Sequence, residues 1–202
     1  MMNRKEGEFA VKLARNAIEL WVKEKKHMRI PKEHPRIFSK NMGAFTTIHT
    51  YPDHNLRGCI GIPYPEKPLV EAIVESAVSA TMDPRFPELR KDELDSVVVE
   101  VSILTNPEKI VVSNPEEYLK KIKIGRDGLI IKRGIFSGLL LPIVPVEQRW
   151  NVEEFLVNLC YKAGLPPDAW FDRETEIYKF QSIVFAEKKP RGKIIKLLDN
   201  VC

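Results

Sequence analysis

The stretch "LRGCIG", running from Leu56 to Gly61, carries the residues of this chain best suited to chemistry. Cys59 supplies a thiol, whose reactive form is the thiolate, and a nearby guanidinium such as Arg57 favours that form. Gly58 and Gly61 let a ligand approach the backbone closely and offer unhindered N–H donors to an oxyanion or a phosphate. The pattern predicts a site in which Cys59 is catalytic and these three neighbours bind the ligand.

Three further residues complete this candidate site. His49 is expected in the binding site, where it could act as a base toward Cys59. The stretch "DPRFPEL" supplies Asp83 and Arg85, which we expect to add a polar wall for binding. An alternative stays open, in which Cys59 is a small buried residue, because free cysteines are among the most buried residues. The glycines would then only admit the following helix, and Arg57 would pair with Asp83 or another carboxylate.

A metal site could be built from His49, His54 and Cys59, if a hairpin brought them together. Such a site needs three or four ligands in a defined geometry, and His54 lies in a Pro-Asp-His-Asn turn that explains it as an exposed residue. We therefore expect no metal site. Motifs for dinucleotides, phosphate loops, serine hydrolases, zinc proteases and Cys-x-x-Cys pairs are missing from the sequence, so no cofactor is expected.

The elements around "LRGCIG" are predicted to form a β-hairpin. Residues 43–50 and 56–63 are β-like, and the turn signal "YPDHN" separates them. Side chains alternate along a strand, so Arg57 and Cys59 are expected on one face, opposite Ile60.

The rest of the chain predicts an α+β fold with a mainly antiparallel sheet flanked by helices. Helical periodicity spans residues 3–26, 66–82 and 146–164, and Asn3 with Glu6 resembles a capping box. A glycine-rich meander predicts a smaller β-rich lobe at residues 108–144. Residues 1–107 and 145–202 are expected to form one large lobe that holds both termini.

Composition limits the classes of protein that remain. The chain has 202 residues, of which 44% are hydrophobic and 30% charged, with a net charge of +4, well short of a typical nucleic-acid-binding surface. Three distant cysteines predict no disulfide framework and a cytoplasmic location. Only two glutamines occur among many lysines and glutamates, as is typical of thermophilic proteins. Because no run reaches about 18 apolar residues, no membrane association is expected.

Two other functions stay open. A protein-interaction module could use exposed aromatic residues, and the candidates are Trp150, Trp170 and Phe171. Nucleic-acid binding is less favoured, because glutamates dilute the basic stretch. Its candidate residues are Lys23, Lys25, Lys26, Arg29, Lys32 and Arg36. The partner is accordingly a small ligand, another protein or a second copy in a homodimer, with nucleic acid disfavoured.

The order and spacing of "LRGCIG", "DPRFPEL", "GLLLP" and "FLVNLCYKAGLP" resemble the AMMECR domain family over nearly the whole chain. The resemblance implies an α+β fold of two unequal lobes, with a cleft beside residues 56–61, and a functional link to Memo-type and radical-SAM proteins. It marks residues 56–61 as the signature site and residues 83–86 as a companion loop, without implying a reaction. Where the family motif reads Leu-Leu-Pro-Gln-Val, this chain has Ile143, so any ligand contact of that glutamine is missing.

Overall fold

The computed structural model describes residues 2–197, and the predicted α+β fold with antiparallel sheets flanked by helices is confirmed. The helices are α1 (Arg4–Glu24), α2 (Leu69–Ala80), α3 (Tyr118–Lys121), α4 (Ile143–Glu147) and α5 (Val152–Lys162). The strands are β1 (Ala44–Thr50), β2 (Leu56–Ile62), β3 (Val97–Leu104), β4 (Glu108–Lys109), β5 (Gly128–Arg133), β6 (Phe136–Leu140), β7 (Glu176–Phe180), β8 (Ser182–Glu187) and β9 (Ile194–Leu197). Across this part of the chain, none of the helices is long and apolar enough to cross a bilayer. Cys202 lies outside the described residues.

The first helix begins and ends where local chemistry requires. The Asn3 side chain accepts the N–H of Glu6, and the Glu6 carboxylate accepts the N–H of Asn3, which confirms the predicted capping box. The helix ends at Lys25, whose φ of 54° is left-handed. Leu13 and Ala17, from its predicted apolar stripe, are buried. The amphipathic pattern therefore predicts both the helix and the face of it that packs in the core.

The chain divides into two compact units, of which the first holds residues 2–104 and 183–197. Its five strands lie in the order β2-β1-β3-β8-β9, with antiparallel pairing of β1 to both β2 and β3. Thr46 of β1 is hydrogen-bonded to Ser76 of α2 at 2.8 Å, and Ile48 and Val99 on the same face are fully buried. The opposite face bears Cys59, and we call it the cysteine face.

The second unit, within residues 105–182, has its own sheet and core. Its four strands lie in the order β4-β7-β5-β6, and α5 packs on β5 and β6. A Cβ added at Gly138 of β6 would lie 2.7 Å from the backbone nitrogen of Ala163, just after α5. The glycine thus permits the close approach of helix and strand.

The division differs from the expected lobes, because residues 145–182 belong with the meander rather than with the first unit. Strand β7 pairs with β5, and α5 buries Phe155 and Leu159 in the core of the second unit. Helical periodicity shows that a face is buried, but it does not show which sheet covers that face. The expected end of the smaller lobe at residue 144 therefore lies 38 residues before the observed end of the second unit at residue 182.

Candidate functional site

Three side chains form a row across the middle of the cysteine face. Cys59 of β2 lies opposite Thr47 of β1, and Thr47 lies opposite Glu100 of β3. Residues directly opposite in an antiparallel pair have Cβ atoms about 4.5–5.5 Å apart. The Thr47 hydroxyl donates a hydrogen bond to the Cys59 sulfur at 3.3 Å. We call Cys59, Thr47 and Glu100 the cysteine row.

Strand β2 does not keep the expected alternation of side chains in the residues that precede Cys59. Ile48 pairs with Gly58, but His49 pairs with Leu56, so the register shifts and Arg57 is left without a partner in β1. Leu56 therefore lies on the same face as His49, which is the cysteine face, although strict alternation would place Leu56 on the face of Ile60. A single extra residue in a strand reverses the facing of everything before it.

Arg57 is directed away from the thiol that it was expected to activate. Its Nε and Nη2 bind both carboxylate oxygens of Glu93, at 2.8 and 3.0 Å, and Nη2 also donates to the carbonyl of Glu88. Burial is the main influence on Cys59 and raises the pKa of its thiol, against smaller opposing effects of the Thr47 hydrogen bond and the charge of Arg85. The cation that favours the thiolate is Arg85 rather than Arg57.

Asp83 and Arg85 hold the backbone of Cys59 at the free edge of the sheet. The Asp83 carboxylate accepts the Cys59 N–H at 2.8 Å, and Arg85 Nη2 donates to the Cys59 carbonyl at 3.1 Å. Arg85 also binds the same carboxylate through Nε and Nη2, at 3.0 and 2.6 Å. Hydrogen bonds from Arg85 hold the pKa of the buried Asp83 well below its usual range. The two side chains thus replace the strand that an edge lacks.

The two glycines of "LRGCIG" each make room for a neighbour. A Cβ at Gly58 would lie 2.2 Å from the backbone oxygen of Ala80 at the end of α2. A Cβ at Gly61 would lie 2.2 Å from the ring of Phe45. The helix contact matches the packing alternative for Gly58, whereas Gly61 accommodates an aromatic side chain of β1.

Glu100 is the site residue that sequence reasoning missed. Burial raises the pKa of its carboxyl group to about 7, so at neutral pH it exists in both protonation states. Its signal was a lone carboxylate within the apolar strand "VVVEVSIL". Buried carboxyl groups with raised pKa values occur often at functional sites, because a proton can then be both accepted and donated near neutral pH.

Glu100 also lines a cavity of about 440 Å³ in the first unit. The cavity is lined by His49, His54, Val98, Glu100, Ala186, Glu187, Lys188, Ile195 and Leu197. Burial, with a smaller effect of His54, lowers the pKa of His49, which favours its neutral form. His49 lies opposite Leu56 rather than Cys59, and it shares the cavity lining with Glu100, whereas Cys59 is not part of that lining.

Other expected sites are placed elsewhere. Within residues 2–197, no group of three or more His, Cys, Asp or Glu side chains is arranged to hold a metal ion. Trp170 is buried and Trp150 packs against the second core, whereas Phe171 is 49% exposed. In the basic stretch, Lys23, Lys25 and Lys26 each pair with a glutamate, which weakens its positive potential.

The fold and the site define an α+β protein whose sheet, held at its edge strand by an Asp-Pro-Arg loop, presents a row of cysteine, threonine and glutamate across three strands. A family model described as AMMECR1 matches residues 11–185. The chain belongs to this family, which confirms the resemblance seen in its motifs.

Similar proteins come from archaea. Protein MJ0810 of Methanocaldococcus jannaschii is 55% identical, and the match covers 97% of both chains. Protein PH0010 of Pyrococcus horikoshii is 53% identical, with 93% of both chains covered. The crystal structure of uncharacterized protein PH0010 superposes with a TM-score of 0.88, at 50% identity over 97% of this chain and 98% of that one.

Proposed function

We propose that this protein binds a small molecule on the cysteine face of its first unit and that Glu100 exchanges a proton with it. The single observation that carries the proposal is the position of Glu100, which belongs to the cysteine row and also lines a cavity. The cavity volume of about 440 Å³ lies within the range of about 300–1,000 Å³ common for ligand sites.

The protonation states around the cavity support acid–base chemistry rather than attack by a thiolate. Burial raises the pKa values of both Glu100 and Cys59 and lowers that of His49, so each group is shifted toward its neutral form. A carboxyl group that titrates near neutral pH is well suited to general acid–base catalysis. In this proposal Cys59 remains a thiol that borders the ligand, and His49 is a neutral hydrogen-bonding group.

The signature residues then have positioning roles. Asp83 and Arg85 fix the peptide of Cys59, and Arg57 anchors the preceding residues to Glu93. Gly58 lets α2 approach β2 closely behind the row. These contacts hold β2, and with it the thiol, in register with Thr47 and Glu100.

Retention of a ligand through purification tests the proposal. The wild-type protein, Glu100→Gln, Cys59→Ala and the surface control Glu66→Gln are purified from the same native host, and the molecules released on denaturation are compared by mass spectrometry. We expect one compound that is retained in stoichiometric amount by the wild type and the control but depleted in Glu100→Gln. Equal retention by all four proteins, or none by any, would contradict the proposal.

A second candidate, an interaction surface for another protein, is favoured by exposed apolar residues of the second unit. Ile135 is 94% exposed in the β5–β6 turn, and Phe136 beside it is 47% exposed. Arg133 binds Asp172 at 2.8 Å, which brings this turn near the exposed ring of Phe171. Native mass measurement over a range of concentrations tests the simplest case, a homodimer that Ile135→Asp should dissociate.

A further inference from the structure

The turn between β8 and β9 carries three lysines, Lys188, Lys189 and Lys193, which we call the lysine cluster. With Tyr51, they line a cavity of about 290 Å³. All four residues belong to the first unit, as does the cavity that Glu100 lines. The lysine cluster lies apart from residues 56–61 and 83–86, and the proposed function assigns it no role.

Two of these lysines oppose each other across the hairpin. Glu187 pairs with Ile194, and beyond this pair the Lys188 N–H donates to the Lys193 carbonyl at 2.9 Å. Like charges directly opposite in a β-ladder are destabilising. The conformation of the turn does not require two opposing lysines, so the repulsion between Lys188 and Lys193 needs another explanation.

The neighbouring carboxylates do not relieve this repulsion. Arg191, in the same turn, binds both Glu19 and Asp95, and the adjacent Glu187 is directed to Arg15 in the core. In the described part of the chain, no ion pair within 4.0 Å involves a lysine of the cluster. The positive charges of the cluster therefore remain available to an anion from solution.

The two cavities are neighbours that share Lys188. Their remaining walls are also in contact, since the rings of Tyr51 and His54 lie edge to face with centroids 6.3 Å apart. Between the lysines and Glu100 the lining is partly apolar and includes Val98, Ala186 and Ile195. Glu100 lies two residues beyond Val98, about 7 Å farther along strand β3.

We propose that the ligand of this site is a phosphorylated small molecule, whose phosphate binds the lysine cluster and whose apolar part extends toward Glu100. The inference rests on the proposed function and names its class of ligand. A phosphate monoester carries a charge of about −1.5 to −2 at pH 7 and three strong acceptor oxygens, which suits three lysines that each act as a point charge better than a single carboxylate would. The separation from Glu100 leaves the phosphate as a handle, away from the group that exchanges a proton.

Three probe molecules distinguish the contribution of the phosphate group to binding from that of the apolar part. Inorganic phosphate, phenyl phosphate and phenol are titrated by calorimetry into the full-length protein at constant ionic strength. We expect phenyl phosphate to bind about tenfold more tightly than inorganic phosphate, because its ring enters the apolar part of the cavity. The double variant Lys188→Gln/Lys193→Gln should weaken both by about tenfold or more, while the exposed control Lys120→Gln should change neither.

Three results would overturn the inference. They are no binding of phenyl phosphate, binding no tighter than that of inorganic phosphate, and an equal loss in Lys120→Gln. If the lysine variants leave phenyl phosphate binding unchanged while ligand retention still depends on Glu100, the inference fails and the proposed function stands. If the lysine dependence is observed but retention does not depend on Glu100, the phosphate site is supported and the proposed function fails.

Discussion

Asp83 and Cys59 are joined by a hydrogen bond of 2.8 Å from the Cys59 N–H to the Asp83 carboxylate, although 24 positions separate them in the chain. Arg85 closes the arrangement by donating to the Cys59 carbonyl. Both backbone groups of Cys59 that face away from the sheet are thereby satisfied by side chains of one loop. Residues 56–61 and 83–86 thus act as one structural unit, in which the loop holds the strand.

This unit predicts that Asp83→Asn destabilises the protein by about 2 kcal/mol at pH 7, because an amide replaces the charged acceptor of several hydrogen bonds. Arg85 keeps the folded pKa of Asp83 below its unfolded value near 4. The stabilisation is therefore fully present above pH 4 and is lost as pH falls toward the folded pKa. Urea unfolding at pH 7 and pH 3 should show the difference between the two proteins shrinking at low pH. The exposed Asp92→Asn serves as control, and an equal loss there would contradict the prediction.

Glu100 predicts the opposite dependence on pH. Its folded pKa is about 7, above the unfolded value near 4.3, so the folded state binds the proton more tightly. The carboxyl group therefore lowers stability as pH rises from about 4 to 7, by about 4 kcal/mol in total. Glu100→Gln should become more stable relative to the wild type over this interval, as measured by urea unfolding at pH 5 and pH 8. The titratable groups near Glu100 are His49, His54, Cys59, Glu187 and Lys188. A constant difference at both pH values would refute the role of burial.

Substitution by alanine is expected to destabilise the protein more at Gly58 than at Gly61. Gly58→Ala would force its methyl group against the backbone of Ala80, which can move only if the end of α2 moves. Gly61→Ala meets the ring of Phe45, a side chain that can rotate. We expect Gly58→Ala to cost about 1–3 kcal/mol in urea unfolding and Gly61→Ala to cost less. The reverse order would show that the helix end adapts more easily than the ring.

The sequence was sufficient for the local elements of the fold. Asn3 and Glu6 predicted the start of α1, and the turn signal "YPDHN" between two β-like stretches predicted the hairpin of β1 and β2. Such patterns depend on neighbours in the chain, and the physics that creates them is local. The unit to which α5 belongs could not be predicted this way, because its partner strands lie elsewhere in the sequence.

The candidate site was predicted in part, for the same reason. Asp83 and Arg85 were expected as a polar wall for a ligand, and the structure has both side chains hydrogen-bonded to the backbone of Cys59, while their role in binding stays a prediction. The register shift at Arg57 left no mark in the alternating pattern, so its side chain was expected beside the thiol, whereas in the structure it binds the carboxylate of Glu93, as the packing alternative allowed. Glu100 was missed because its burial is a property of the assembled sheet.

The reactivity of Cys59 provides the last prediction. Burial raises the pKa of its thiol, so at pH 7 it should react with iodoacetamide more slowly than a free thiol does. Arg85→Gln removes the cation that favours the thiolate and should raise the pKa further. Arg57→Gln removes a cation bound to Glu93 and should leave the pKa unchanged. Mass spectrometry of the peptide that contains Cys59, followed over pH 6–10, gives the rate for this cysteine alone.

The matched pair of arginine variants makes the outcome decisive. Each loses one positive charge from the neighbourhood of β2, so a general electrostatic effect would shift both profiles by the same amount. A shift in Arg85→Gln alone would agree with the contact between Arg85 and the peptide of Cys59. A shift in Arg57→Gln, or alkylation of the wild type faster than that of a free thiol, would restore Cys59 as an activated nucleophile with Arg57 as its partner. In that case Glu100 would act as the base for Cys59, and Thr47, which lies between them in the row, would position both.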